Sequence, residues 1–225
     1  MTHWLGEYAG DIIWVGIGVA ILVAYHLYLA VCARRDPLCI IQGVNRTTRR
    51  VWVQHIMADP GLGILAVQTL RNSTMAATFL ASTSVLLIMG VLTLSGQADR
   101  IAENWHHLNP IGSRHPGLWE LKLLVLLADL LVAFFSFTLS IRFYNHAGYQ
   151  LTLPQALRPP VVAPEQVARH LNRAGHLYSI GMRAYYIAVP LVFWLFGPHL
   201  MAGASLVVVI FLYYMDRVVP DSGAD

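Results

Sequence analysis

Two ionisable residues lie inside an otherwise apolar stretch of the sequence and are the first candidates for chemistry. Asp129 stands at the centre of the run 118–141, and Lys122 precedes it by two helical turns, about 10 Å away on the same helix face. A carboxylate inside a bilayer is costly, so it needs a protein partner or water. The sequence predicts either that Asp129 lines an ion or proton path, or that it joins helices through hydrogen bonds to Ser or Thr.

Two further groups of polar side chains accompany this pair. Glu120 lies with Lys122 near the start of the same run, and both are interpreted as extending to the membrane surface, with a pore mouth as the alternative. A second run, 74–94, carries hydroxyl groups at a spacing of four residues, which places them on one helix face. The hydroxyl groups that are candidates to line the path of Asp129 belong to Thr74, Thr78 and Ser82.

A basic cluster is predicted where three apolar runs meet the segments richest in arginine. In a closed bundle these side chains would converge into one cytoplasmic basic ring. One interpretation is the ordinary enrichment of arginine at the cytoplasmic surface, with contacts to lipid phosphates. The other is a basic vestibule for an anionic solute or headgroup. The ring comprises Gln68, Arg71, Asn72, Arg142, Asn145, His146 and Arg183.

Histidine raises haem binding as a weaker possibility. His26 could face His146 or His176 across two spans, as the axial ligands of a haem do. No CxxCH or HExxH motif occurs in the sequence. A haem- or metal-binding redox protein therefore stays an alternative, and no cofactor is predicted.

Metal binding and enzymatic catalysis have little support. His106, His107 and His115 in the predicted outer loop are a weak metal candidate. The spacing of Cys32 and Cys39 matches no common zinc motif, so free thiols are expected. The motifs GxSxG, GxxxxGK[ST] and GxGxxG are absent. Neither a metal site nor an enzymatic activity is predicted.

The elements that must position these residues are helices solvated by lipid. Of the 225 residues 56% are hydrophobic and only 12% are charged, whereas a soluble domain has about 25% charged residues. The last uncharged stretch, 184–215, would be about 48 Å long as one helix, so a break at Gly197-Pro198 is favoured and the span count is four or five. The predicted spans are about 12–31, 74–94, 118–141, 178–196 and 200–215.

The connections between the runs predict the orientation and two helix starts. Arginine is concentrated in the first and third connections, which places them in the cytoplasm and the N-terminus outside, in a bacterial inner membrane. Asn45 is a plausible N-cap for an interfacial helix 46–58, and Asp59-Pro60 is a second helix start. The predicted fold is all-α, a polytopic transmembrane helix bundle with cytoplasmic interfacial helices, in a single domain, 1–225.

Four segments together carry a resemblance to a known family. They are NRTTRRVWV (45–53), QTLRN (68–72), RFYNH (142–146) and GMRAYY (181–186). Over about residues 4–196 the chain resembles an uncharacterised integral-membrane protein family of unknown function that is shared by bacteria and land plants. The resemblance implies a small multi-span membrane protein whose polar positions in the four segments form one recurring cytoplasmic-side feature. It implies no particular activity, substrate or cofactor.

Polar groups inside the spans favour a homo-oligomeric channel or small transporter as the function. The small-residue stripe of Gly16, Ala20 and Ala24 would help copies of the chain associate. A structural or assembly subunit of a larger membrane complex is the alternative. The expected partners are the lipid bilayer, with its anionic headgroups, and further copies of the chain. The formal net charge is +3, and the arginines that produce it lie mainly in the connections between apolar runs. This distribution indicates membrane topology, so no nucleic-acid partner is expected.

Overall fold

A computed structural model describes the backbone of residues 2–96 and 116–217, and their side chains except those of residues 2–9 and 116. Within these ranges the chain forms six α-helices, and the only β-structure is an isolated antiparallel bridge between Ile40 and Arg217. The predicted all-α fold class is confirmed. The helices are α1 (Thr2–Arg35), α2 (Ile41–Ala58), α3 (Gly63–Ser95), α4 (Pro116–Leu151), α5 (Pro164–Phe196) and α6 (Pro198–Asp216), with 3₁₀ turns at Pro60–Leu62 and Gln155–Leu157.

Five of the described helices are long and apolar enough to cross a membrane, with mean hydropathies from 1.4 to 2.3. Large apolar side chains cover their surfaces; Phe79 and Leu86, for example, are 73% and 72% exposed. Such a surface is unfavourable in water and is matched by hydrocarbon. The chain is therefore a multi-pass membrane protein. Its candidate spans are Gly10–Arg35, Pro60–Ser95, Gly117–Leu151, Pro164–Phe196 and Pro198–Asp216.

The break expected in the last apolar stretch separates α5 from α6. Helix α5 ends at Phe196 and α6 begins at Pro198, whose missing N–H is harmless at the first helical position. Pro190 lies inside α5 without ending it, as packing in a helix bundle allows. The described residues thus provide five candidate spans rather than four.

The turn between α1 and α2 overturns one predicted cap. The backbone N–H of Leu38 donates to Asp36 Oδ1 at 2.9 Å, which forms a compact turn directly before the second helix. Helix α2 consequently begins at Ile41, and Asn45 lies one turn inside it. The prediction that Asn45 is the N-cap is wrong.

The connection between α2 and α3 contains the second predicted helix start, which is confirmed. Asp59 Oδ1 accepts a hydrogen bond from the Gly61 N–H at 2.8 Å, and Pro60 occupies the first helical position. Helix α3 follows from Gly63 onward. It therefore starts well before the predicted span, and Arg71 lies inside a helix rather than in the connection before it.

The described chain divides into two compact units, and the described part of the first comprises 2–41, 86–96, 116–131 and 184–217. In this unit α1 packs along α6. A Cβ added to Gly18 would lie 3.2 Å from Ser205 Oγ and 3.5 Å from Ala202 Cα. Glycine at this position therefore permits the close approach of the two helices.

The small-residue stripe predicted for helix packing lies elsewhere on α1. Gly16, Ala20 and Ala24 are all exposed, and a Cβ added to Gly16 would meet nothing within 4 Å. The contact with α6 instead uses the face of Gly18 and Tyr25, and the Tyr25 hydroxyl donates to Asp216 Oδ2 at 2.9 Å. The stripe is not used for packing within this unit.

The second unit comprises 42–85 and 132–183, and it joins α2 to segments of α3, α4 and α5. Val53, Ile56 and Met57 on α2 are buried in its core. The apolar face of α2 therefore packs on protein, while Arg46 and Arg50 remain exposed. The other buried members of this core are Ala66, Leu70, Tyr144, Ala147, Leu151, Val167, Ala168, Leu171 and Ala174.

Gly181 of α5 provides a stability test within the second unit. A Cβ added there would lie 2.7 Å from two ring carbons of Phe137, which is completely buried. Gly181→Ala is expected to destabilise the protein by about 1–3 kcal/mol, because the ring has no space to move into. Thermal unfolding in detergent measures the change. Gly90→Ala, where an added Cβ meets nothing within 4 Å, is the matched control. Equal unfolding midpoints for the two variants would contradict this packing.

Candidate functional site

A groove of about 730 Å³ runs between α3 and α4 in the second unit and is open along one side. Helix α3 supplies residues at spacings of three and four, and so does α4, as expected for one face of each helix. The two helices lie close together at Gly148, where an added Cβ would make an ordinary contact with Leu70 Cδ1 at 3.6 Å. The lining residues are Val67, Leu70, Arg71, Thr74, Met75, Thr78, Phe79, Tyr144, Asn145, Gly148, Tyr149 and Thr152.

Two of the hydroxyl groups in the groove are already donating hydrogen bonds. Thr78 Oγ1 donates to the Thr74 carbonyl at 2.9 Å, and Thr152 Oγ1 donates to the Gly148 carbonyl at 3.1 Å. Each hydroxyl proton is thus held by the residue's own helix. These side chains present only oxygen lone pairs to the groove.

Four other side chains in the groove have hydrogen-bond donors that are not used within the described chain. The side chains of Arg71, Thr74, Asn145 and Tyr149 make no hydrogen bond or ion pair to any residue that the structure describes. We refer to these four as the donor cluster. None of the residues that line the groove is acidic. The cluster therefore offers one cation and three neutral hydrogen-bond donors, with no carboxylate among the lining residues.

The structure brings together only part of the predicted basic ring and hydroxyl stripe. Arg71 and Asn145 line the groove with Thr74 and Thr78, and Ser82 is exposed without lining it. Arg183 is partly buried on α5. The remaining ring members are exposed and do not line the groove; they are Gln68, Asn72, Arg142 and His146. Convergence of all seven residues on one axis stays a prediction.

Lys122 lies in the first unit, and its side chain is buried in the protein rather than exposed as snorkelling requires. Its side chain is only 4% exposed, with Nζ 5.6 Å from the centroid of the Trp194 ring. Asp11 of α1, itself 5% exposed, interacts with it electrostatically. The predicted snorkelling of Lys122 is wrong, because a carboxylate and an aromatic face stabilise the ammonium inside the protein. Glu120 is exposed.

Asp129 is half-buried on α4 in the same unit. Its Oδ2 is enclosed and accepts no hydrogen bond from the residues that the structure describes. The predicted alternative, in which Ser or Thr hydroxyls hold this carboxyl, is therefore not supported for Oδ2. The role of Asp129 in a path stays a prediction.

Arg49 on α2 is a partly buried cation that was not among the predicted site residues. Its Nη1 donates to Asn172 Oδ1 at 3.2 Å, and it interacts electrostatically with Tyr144, a residue of the groove wall. Burial lowers the pKa of the Arg49 guanidinium, which still stays charged at neutral pH. The guanidinium lies over Gly175 of α5, where an added Cβ would be 2.6 Å from Arg49 Cζ. A side chain at position 175 would force this guanidinium to shift.

The histidine and cysteine candidates do not form a metal site in the described ranges, where no group of three or more His, Cys, Asp or Glu could hold an ion. His26 Nδ1 lies 2.8 Å from the Leu22 carbonyl, and His146 and His176 are exposed, so the haem alternative stays a prediction. The predicted outer-loop metal candidates, which are His106, His107 and His115, lie outside the described residues.

The two cysteines near the end of α1 are free thiols, as predicted. Partial burial and the neighbouring Cys32 raise the pKa of the Cys39 thiol. The thiol form therefore prevails at neutral pH, and a thiolate is the form that binds metals.

The contact between Arg49 and Gly175 predicts a double-mutant cycle. Gly175→Ala should destabilise the protein by about 1 kcal/mol, because the methyl group forces the guanidinium to shift and weakens its hydrogen bond to Asn172. The same change should cost little in an Arg49→Ala background, where the space is empty. Thermal unfolding of the four proteins measures the coupling. A Gly175→Ala effect of equal size in both backgrounds would contradict the contact.

Comparison with known proteins identifies the family. No curated protein and no solved structure matches the chain. The sequence pattern of the family described as "Protein of unknown function, DUF599" matches residues 13–220. This match extends over nearly the whole chain and confirms the predicted membership of an uncharacterised family. The chain belongs to the DUF599 family of proteins of unknown function.

Proposed function

We propose that this membrane protein is a homo-oligomeric transporter of an anionic solute, which binds in the groove between α3 and α4. The observation that carries the proposal is the donor cluster around Arg71, on a wall without a carboxylate. A cation on a membrane-spanning helix is stable where an anion or water meets it. An anionic solute supplies the negative charge that the groove lacks.

A carrier fits this groove better than an aqueous channel does. A water-filled pore is lined by polar groups along its length, whereas the groove is apolar at Met75 and Phe79. A carrier needs a single binding site, which the solute occupies and then leaves in each transport cycle. Saturable uptake without single-channel currents is the behaviour of a carrier, and ohmic currents are that of a channel.

Two observations support self-association and the proposed orientation. The stripe of Gly16, Ala20 and Ala24 is exposed on α1, and small residues are what helices use for close contacts in lipid. The concentration of arginine in the first and third connections supports an inner membrane location with the N-terminus outside. In this orientation Arg71 lies toward the cytoplasmic end of α3.

Arg71→Gln tests the proposed transport. Proteoliposomes are loaded in three assays with labelled inorganic phosphate, butyl phosphate or dodecyl phosphate. We expect saturable movement of at least one of these anions, and Arg71→Gln should lower it about tenfold or more, since a hydrogen bond to a charged group contributes about 1.5–3 kcal/mol. Arg50→Gln, which removes an exposed arginine of α2, is the charge-matched control and should leave the rate unchanged. Movement of no anion beyond that in protein-free liposomes would exclude the transporter.

Asp129→Asn tests whether transport is coupled to protons. Its carboxyl lies inside a candidate span with Oδ2 enclosed and without a hydrogen-bond donor among the described side chains, which suits a group that gains and loses a proton. Uptake by the Asn variant should no longer respond to an imposed pH gradient, whereas Asp129→Glu should keep the response. If the pH gradient accelerates uptake by the Asn variant as much as uptake by the unmodified protein, Asp129 does not couple transport to protons.

A further inference from the structure

The groove changes from polar to apolar along α3. The donor cluster surrounds Arg71, and the wall continues to Met75 and Phe79, the latter about 12 Å farther along the helix axis. We refer to Met75 and Phe79 as the apolar wall. These two side chains are 63% and 73% exposed and lie within the candidate span Pro60–Ser95. The apolar wall is therefore open to the hydrocarbon of the bilayer.

The donor cluster has the chemistry of a headgroup site. The planar guanidinium of Arg71 presents paired donors that match the oxygens of a phosphate or carboxylate. Asn145 and Tyr149 of α4 are exposed beside it in the same groove. Thr74 adds a hydroxyl one helical turn from Arg71, and its proton is not donated to any described residue.

We propose that the groove binds a single-chain amphipathic anion, with its headgroup at the donor cluster and its hydrocarbon tail along the apolar wall. The molecule enters sideways from the bilayer through the open side of the groove. This inference deepens the proposed function and rests on it for the site at Arg71. A small hydrated anion contacts the donor cluster alone and leaves the apolar wall to the acyl chains of the bilayer, and an uncharged tail leaves the guanidinium without an anion. A ligand with both parts contacts the whole groove.

A series of ligands with one headgroup and different tails tests the inference. The full-length protein is placed in nanodiscs of uncharged phosphatidylcholine, and its affinities for inorganic phosphate, butyl phosphate and dodecyl phosphate are measured by titration. Dodecyl phosphate is expected to bind at least tenfold more tightly than butyl phosphate. Arg71→Gln should weaken the binding of both, because they share the headgroup.

A matched pair of phenylalanine variants isolates the tail. Phe79→Ala should weaken dodecyl phosphate at least fivefold and leave butyl phosphate unchanged. Phe135→Ala is the control, because Phe135 is 58% exposed on α4 and does not line the groove. Both positions are exposed, so both variants are expected to fold, and their unfolding midpoints verify this.

The outcomes separate the inference from the proposed function. Equal affinities across the series, or equal effects of Phe79→Ala and Phe135→Ala, would overturn the amphipathic ligand even if inorganic phosphate is transported. A second test uses Met75→Cys in a chain that lacks Cys32 and Cys39. If no ligand binds and this cysteine forms a disulfide with that of another copy, a second copy covers the groove and the amphipathic ligand is excluded. Tail-dependent binding without movement across the liposome membrane would support the site and exclude the transporter.

Discussion

A positive charge that lies on a membrane-spanning helix or is buried in the protein has to be neutralised or solvated, and this requirement governs the polar part of the structure. In one unit Lys122 is buried beside the carboxylate of Asp11. In the other, Arg49 is partly buried and donates to Asn172. Arg71 differs from both, because no described residue accepts a hydrogen bond from it. The groove is therefore a place where a cation of a candidate span lacks an acceptor among the described residues.

The helical architecture follows from the sequence because its causes are local. Apolar runs of bilayer length predict the spans, Asp59 and Pro60 begin a helix through their own side chains, and Gly197-Pro198 separates the last two helices. The sequence does not show in the same way which face of each helix packs against protein and which faces lipid. In lipid both the buried and the exposed sides of a helix are apolar, so the pattern that reveals the inner face of a soluble helix is weak. That is why the sequence did not reveal that the face of Gly18 packs on α6 while the stripe of Gly16, Ala20 and Ala24 stays exposed.

The candidate site was predictable in its charged members and not in its shape. Arg71 and Asn145 stand out in the sequence because polar residues in spans are costly. Met75 and Phe79 look like ordinary lipid contacts, and only the concave surface formed with α4 makes them a wall. Arg49 was counted among the arginines of a connection. Its guanidinium lies in the space left open at Gly175, more than a hundred positions away in the sequence.

The most direct measurement is a cryo-electron microscopy map of the full-length protein in nanodiscs that contain a single-chain alkyl phosphate. The account predicts phosphate density about 3 Å from the Arg71 guanidinium, with tail density beside Phe79. A carboxylate of another copy on Arg71, or side chains of that copy filling the groove, would contradict it.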